Sequence, residues 1–318
     1  MKNLRDDARD FRALIGAASD DTGLDTAFVE KDYWVTELLR SLSRGLPGDQ
    51  SDTQVLFKGG TSLSKAFGII ERFSEDIDVL VSPPTHFGEG RVDRILKDLV
   101  MRVEADIGVA ASLLMSTKGE KRNVVFKYDS HHPSEALRSG VLLEMGTRGG
   151  AEPNQMVQIH SMVADALHRR ESDSGYADVQ SVEVRVLAPE RTLAEKLHLL
   201  NGAASALETD SSILSRAGRH YYDVYRLLST PFVLDRLADG GIAALADDVQ
   251  QRTAAARFPG PNEPRPTGGY ANSVAFARSG TGHERAAAGY EAVRPLVWGV
   301  FAPFSDVLDL VEERRPVL

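Results

Sequence analysis

Residues 74–81 read SEDIDVLV: two aspartates, one residue apart, at the head of an apolar run. An ionised carboxylate is costly to bury unless it is paired or bound to a metal. Side chains two apart on a strand share a face, so Asp76 and Asp78 point the same way. Two carboxylates on one face repel each other unless positive charge lies between them. Mg²⁺ suits the role, because it takes hard oxygen ligands together with substrate phosphates. Paired metals of this kind clamp the attacking and leaving oxygens of a phosphoryl transfer. The pair therefore predicts a strand over 76–82 and a metal-binding edge.

The preceding residues point to the same chemistry. A short strand is predicted over 54–58, then Gly59-Gly60, then a helix over 61–71 that Thr61 or Ser62 can cap. Glycines let a phosphate approach the backbone, and a helix N-terminus favours an anion. The spacing is not that of a Walker A loop, GxxxxGK[ST]. A third acid would complete the site, and Glu144, alone in the strand-like run SGVLLEMGT, is the candidate.

Composition narrows the class. The 318 residues, 42% hydrophobic and 26% charged, suit a globular chain of about two domains. With no cysteine, disulfides and thiolate metal sites are impossible. No apolar stretch nears the roughly 18 residues of a membrane span. The charged N-terminus MKNLRDDARDFRALIG has no signal-peptide pattern. A cytoplasmic protein without membrane contact is expected. A net charge of −9 argues against coating nucleic acid but leaves room for a local basic groove.

Helices are further expected over 25–44 and 90–106, and strands over 122–128, 140–146 and 180–187. After Pro189 the pattern turns helical, over 190–207, 218–229, 232–256 and 285–313. The Pro- and Gly-rich stretch 257–283 reads as a long loop. The boundary is placed near 188, giving domains 1–188 and 189–318. EKDYW at 30–34 reads as a capped helix whose Trp34 packs on the core. Tyr221, Tyr222 and Tyr225 read as packing residues, and the histidine pairs His131-His132 and His160…His168 as loop or surface residues.

The blocks VEKDYW (29–34), FKGGTSLSK (57–65), RFSEDIDV (72–79), EKL (195–197) and YYDVYRLL (221–228) together resemble the AbiEii/AbiGii family of nucleotidyltransferase toxins. These are the toxin halves of type IV toxin–antitoxin pairs and include the MenT-like proteins. The broader likeness is to the polymerase β-type nucleotidyltransferase core. The resemblance implies an α+β fold, a mixed sheet followed by a helical C-terminal domain that contributes Lys196 and Asp223 to the active site.

It also implies transfer of a nucleoside monophosphate from an NTP to the 3′ end of tRNA, with pyrophosphate released and aminoacylation blocked. Asp76 and Asp78 would hold two Mg²⁺ ions, with Glu144 as the third acid from the broader fold. Gly59, Gly60, Thr61 and Ser62 would cradle the phosphates, with Lys58, Lys65 and Arg72 nearby. Ser74 either holds the turn, contacts the triphosphate or accepts a phosphoryl group. A separately encoded antitoxin is the expected partner, and the oligomeric state is left open.

Local basic charge suggests where an RNA acceptor would lie. Clusters occur at Lys118, Lys121, Arg122 and Lys127; at Arg216, Arg219, His220 and Arg226; and at Arg257, Arg265, Arg278 and Arg285. The second of these is expected to line the acceptor site. Two other readings remain: a nucleotidyltransferase acting on a small molecule or a protein, and a nucleotide- or partner-binding module without turnover.

Overall fold

A computed structural model describes residues 2–74, 76–134, 137–170, 175–256 and 262–318. Residues 257–261 of the predicted long loop, including Arg257, lie outside the described residues. The chain divides into two compact units, Met1–Ala66 with Glu75–Thr147 and Asn154–Val186, and Phe67–Ser74 with Arg148–Pro153 and Leu187–Leu318.

The first unit is α+β. Its strands are β1 (Gln54–Lys58), β2 (Asp76–Ser82), β3 (Ala111–Thr117), β4 (Lys121–Phe126), β5 (Val141–Gly146), β6 (Asn154–Ile159) and β7 (Val182–Leu187). They form one mixed sheet in the order β3-β4-β5-β2-β1-β7-β6. The helices are α1 (Ala8–Thr22), α2 (Thr26–Ser43), the short α3 (Gly59–Lys65), α4 (Glu89–Ile107) and α5 (Met162–Arg169). Strand β2 lies inside the sheet, antiparallel to β1 and parallel to β5. Ile77, Val79 and Val81 bury one of its faces almost completely, which leaves Asp76 and Asp78 on the other.

Helix α2 is buried on nearly all sides. Asp25 caps it by accepting from the Ala27 N–H at 2.8 Å. Val29, Tyr33, Leu38, Leu39 and Leu42 fill the core, and so do Glu30 and Lys31. Trp34 is buried, as expected, and stacks on Tyr128 with centroids 4.9 Å apart. A charged residue in such a helix needs a partner. Glu37 has Arg5 at 2.6 Å and Arg40 at 2.8 Å.

The second unit is helical: α6 (Pro189–Ser205), α7 (Ile213–Arg216), α8 (Gly218–Leu228), α9 (Pro231–Leu237), α10 (Ala243–Ala256), α11 (Thr281–Glu291) and α12 (Phe304–Glu313). Helix α6 packs on α8 and α10, and α8 packs on α11 and α12. Tyr221 and Tyr222 are wholly buried packing residues of α8.

An ion triad lies in this core. Asp223 of α8 receives a two-pronged bond from Arg72, Nε at 2.7 Å and Nη2 at 2.8 Å. The Lys196 Nζ of α6 reaches the same carboxylate at 2.5 Å. Arg72 is held there by its backbone: the Phe73 N–H donates to the Leu296 carbonyl and the Trp298 N–H to the Glu71 carbonyl.

Burial alone would raise the Asp223 carboxyl, but the charges of Arg72 and Lys196 outweigh it and hold the group well below the usual carboxylate range. The unfolded value is about 3.9. The carboxylate's contribution to stability is therefore complete above about pH 4 and is lost as pH falls through the folded value. Asp223→Ala, which strands two buried cations, is expected to cost about 3–5 kcal/mol in chemical denaturation. Asp223→Asn should flatten the acid limb of the stability curve. An unchanged acid limb would show that the triad does not set acid stability.

Candidate active site

Sheet register assembles the polar side chains of the first unit. Lys58 of β1 lies opposite Asp78 of β2. Asp78 lies beside Glu144 of β5, and Glu144 opposite Asn123 of β4. Neighbours at the same register position share a face of the sheet. Lys58, Asp78, Glu144 and Asn123 thus form one row across four adjacent strands, with Asp76 two residues along β2. The Asn123 amide donates to the Glu144 carboxylate.

The turn from β1 into α3 closes onto this row. Gly59 has φ +76, and a Cβ placed on it would lie 2.1 Å from Asp78 Oδ2. Only a residue without a Cβ lets the start of α3 meet that carboxylate. The positive φ also starts the helix earlier than expected, at Gly59 in place of Thr61, and neither Thr61 nor Ser62 caps it. The Thr61 hydroxyl instead donates to the Asp76 carbonyl at 2.6 Å, tying α3 to the head of β2. The Ser62 hydroxyl donates to the Gly59 carbonyl at 2.9 Å. Gly60 is buried in the same turn. The Lys65 ammonium is held by Asp32 at 2.6 Å and the His160 carbonyl at 2.9 Å.

Among the described residues, no group of three or more His, Cys, Asp or Glu side chains stands ready as a metal cage. The donor set is a carboxylate pair with a third acid beside it in register. Such a set fits Mg²⁺, which commonly binds through one or two carboxylates while waters and substrate phosphates fill the remaining positions. The Arg138 Nη1 lies 3.6 Å from Asp76 Oδ1.

In the second unit, Lys196 and Arg72 share Asp223 as described above. Ser74 is half-buried. His220, one turn before Asp223 on α8, is pushed down to about 3 by burial and then by the charge of Lys196, with Arg72 and Arg219 adding to it. It is therefore a neutral imidazole at pH 7. Of its predicted basic neighbours, Arg216 pairs with Asp210, Arg226 pairs with Glu71 at 2.6 Å, and Arg219 is exposed. Arg278 pairs with Asp309, while Arg265 and Arg285 donate to the carbonyls of Leu318 and Ser211.

Asn123 and Arg138 escaped the sequence reading. Asn123 becomes visible only through the pairing of β4 with β5, and Arg138 only through the path of the loop between them. The reading of EKDYW as a capped helix packing through Trp34 does not include the burial of Glu30 and Lys31. Their burial could be inferred only from the apolar residues that surround them on α2.

The family model of the AbiEii nucleotidyl transferase toxin, type IV toxin–antitoxin system, matches residues 40–293. No curated protein matches the chain. Among solved structures, the MenT4 nucleotidyltransferase toxin of Mycobacterium tuberculosis is similar, with a TM-score of 0.50 and 17% identity, over 96% of this chain and 95% of that one. At that identity the likeness speaks for the α+β fold. The family model, which spans most of the chain, speaks for more: this chain belongs to the AbiEii family of nucleotidyltransferase toxins of type IV toxin–antitoxin systems.

Proposed function

We propose that this protein moves a nucleoside monophosphate from an NTP to the 3′ end of tRNA and thereby blocks aminoacylation. The observation that carries the transfer is the register row Lys58–Asp78–Glu144–Asn123, with Asp76 beside it and Gly59 closing on Asp78. The tRNA acceptor rests on the family resemblance. The absence, among the described residues, of any helix long and apolar enough to cross a membrane is compatible with a soluble RNA substrate.

In the proposed reaction the terminal ribose hydroxyl attacks the α-phosphorus. A new P–O bond forms, the α–β bridging bond breaks, pyrophosphate leaves, and the hydroxyl proton passes to water. Asp76 and Asp78 would hold Mg²⁺, with Glu144 as the adjacent acid. The bound cation would offset triphosphate charge and ease loss of the hydroxyl proton. The Asn123 amide orients Glu144 by donating to it. The Gly59-Gly60 turn leaves room for phosphate oxygens against the backbone, and Lys58 adds a cation to the row. Phosphoryl transfer depends mainly on such positioning and charge stabilisation. In this reading Lys196, a role carried over from the family resemblance, would stabilise the leaving pyrophosphate, with Asp223 at 2.5 Å orienting its ammonium. An antitoxin encoded separately is the partner this family implies.

The direct test incubates purified protein with total tRNA, Mg²⁺ and each labelled NTP in turn, beside an Asp76→Ala control. Label on tRNA with one or two NTPs, absent in the control, is expected. Label on a small molecule or protein would replace the acceptor. No label from any NTP, together with growth arrest that survives Asp76→Ala, would reject catalysis. A second expectation concerns Gly59. Gly59→Ala should lower transfer by at least about a hundredfold, because a Cβ there displaces the Asp78 carboxylate. Near-wild-type turnover in that variant would show that the close approach is not required.

A further inference from the structure

We propose that Arg138 is a switching ligand of this site: it neutralises the aspartate pair before substrate arrives and grips the triphosphate afterwards, placed for both tasks by Glu30 and Lys31 of α2. The inference rests on the nucleotidyltransferase reading above and adds to it a residue that the motifs do not contain.

The guanidinium lies 3.6 Å from Asp76 Oδ1 and its side chain is 55% exposed. This is an ion pair longer than a hydrogen bond. The arginine end of the pair is exposed while the Asp76 side chain is only 28% exposed, and a pair solvated on one side contributes about 0–1 kcal/mol, which a divalent cation at the carboxylates can outcompete. A displaced arginine at the rim of a triphosphate site has a ready second partner. Its planar fork matches two phosphate oxygens, a geometry that a lysine point charge lacks.

The backbone that presents Arg138 is held by buried groups of α2. Glu30 is 0% exposed, and both of its oxygens face the loop after β4. They accept from the Ser130 hydroxyl at 2.8 Å, the His131 N–H at 3.0 Å and the His132 N–H at 2.9 Å. Lys31, 2% exposed, donates to the Arg138 carbonyl at 3.0 Å. Adjacent residues of one helix thus anchor the loop near its start and at Arg138 itself, while Trp34 stacks on Tyr128 just before it. A helix core gains nothing from an ionised pair unless its partners are supplied. Here the partners are the backbone groups that aim one arginine at the metal-binding strand.

Because Arg138 competes with the cation but assists the nucleotide, its removal should move the two affinities in opposite directions. The test is calorimetry on the full chain, with Mn²⁺ alone and then with a non-hydrolysable NTP analogue plus Mg²⁺. In Arg138→Ala, Mn²⁺ alone should bind several-fold tighter, while the analogue binds roughly 10- to 100-fold weaker. Arg138→Lys should fall between. Glu30→Gln keeps the side-chain shape and removes its charge, and should reproduce the nucleotide loss. The double variant should be no weaker than Arg138→Ala, since Glu30 acts through Arg138.

Wild-type affinity for both probes in Arg138→Ala would overturn the proposal while leaving the nucleotidyltransferase reading intact. Losses that add in the double variant would remove the positioning role of Glu30. Failure of the wild-type protein to bind any analogue would instead overturn the parent reading, and this inference with it.

Discussion

Electrostatic repulsion among carboxylates is the constraint around which the first unit is arranged. Asp76, Asp78 and Glu144 share one face of the sheet, two of them side by side in register. Left alone, that grouping would resist folding, because like charges on neighbouring positions destabilise a sheet. The protein surrounds it with compensation. Lys58 stands in the same row, the Asn123 amide donates into Glu144, and Arg138 hovers at Asp76. The donor set consists of hard oxygens, and no closed cage of three or more acids or histidines occurs among the described residues. A site of that kind gains from binding a cation and a polyanion together.

The second unit handles charge in the opposite manner. Asp223 is wholly buried and satisfied by two cations, so nothing is left over for a ligand at that carboxylate. Lys196 and Arg72 are both oriented by one acid, and the Arg72 segment is pinned by backbone bonds to residues 296–298. Neutral His220 beside them adds no third positive charge. Rigidity here costs desolvation, which is offset only because all three partners are present together.

Much of this was readable from residues in order. The bounds of β1 and β2 follow from short apolar runs bounded by glycine and by SPP, and α2, α4, α6 and α8 follow from helical periodicity with recognisable ends. Other elements gave weaker signals. Strand β3 is an edge strand exposed on both faces, so Leu113, Leu114 and Met115 show no alternation for a pattern reading to find. Strand β6 is only partly covered. Helix α3 begins two residues earlier than expected, at the positive φ of Gly59, but is shorter because it ends at Lys65, before the positive φ of Gly68. In the candidate site the acids stood out as charges in apolar strands. Two of their neighbours did not, because Asn123 is brought to Glu144 by strand pairing and Arg138 to Asp76 by the path of a loop. The capped-helix reading of EKDYW says nothing of the charged pair of α2, and only tertiary packing reveals it as the anchor of a loop.

The contact between Gly59 and Asp78 has a genetic side. Glycine is the one residue for which every missense change adds a Cβ, and at this position a Cβ falls on the carboxylate. Changes at the first or second base of its codon therefore converge on the same steric lesion, whatever residue they encode. A cell under the control of such a toxin holds a ready escape route in these two bases. Survivors of toxin overexpression should accumulate lesions at this codon without losing the protein itself.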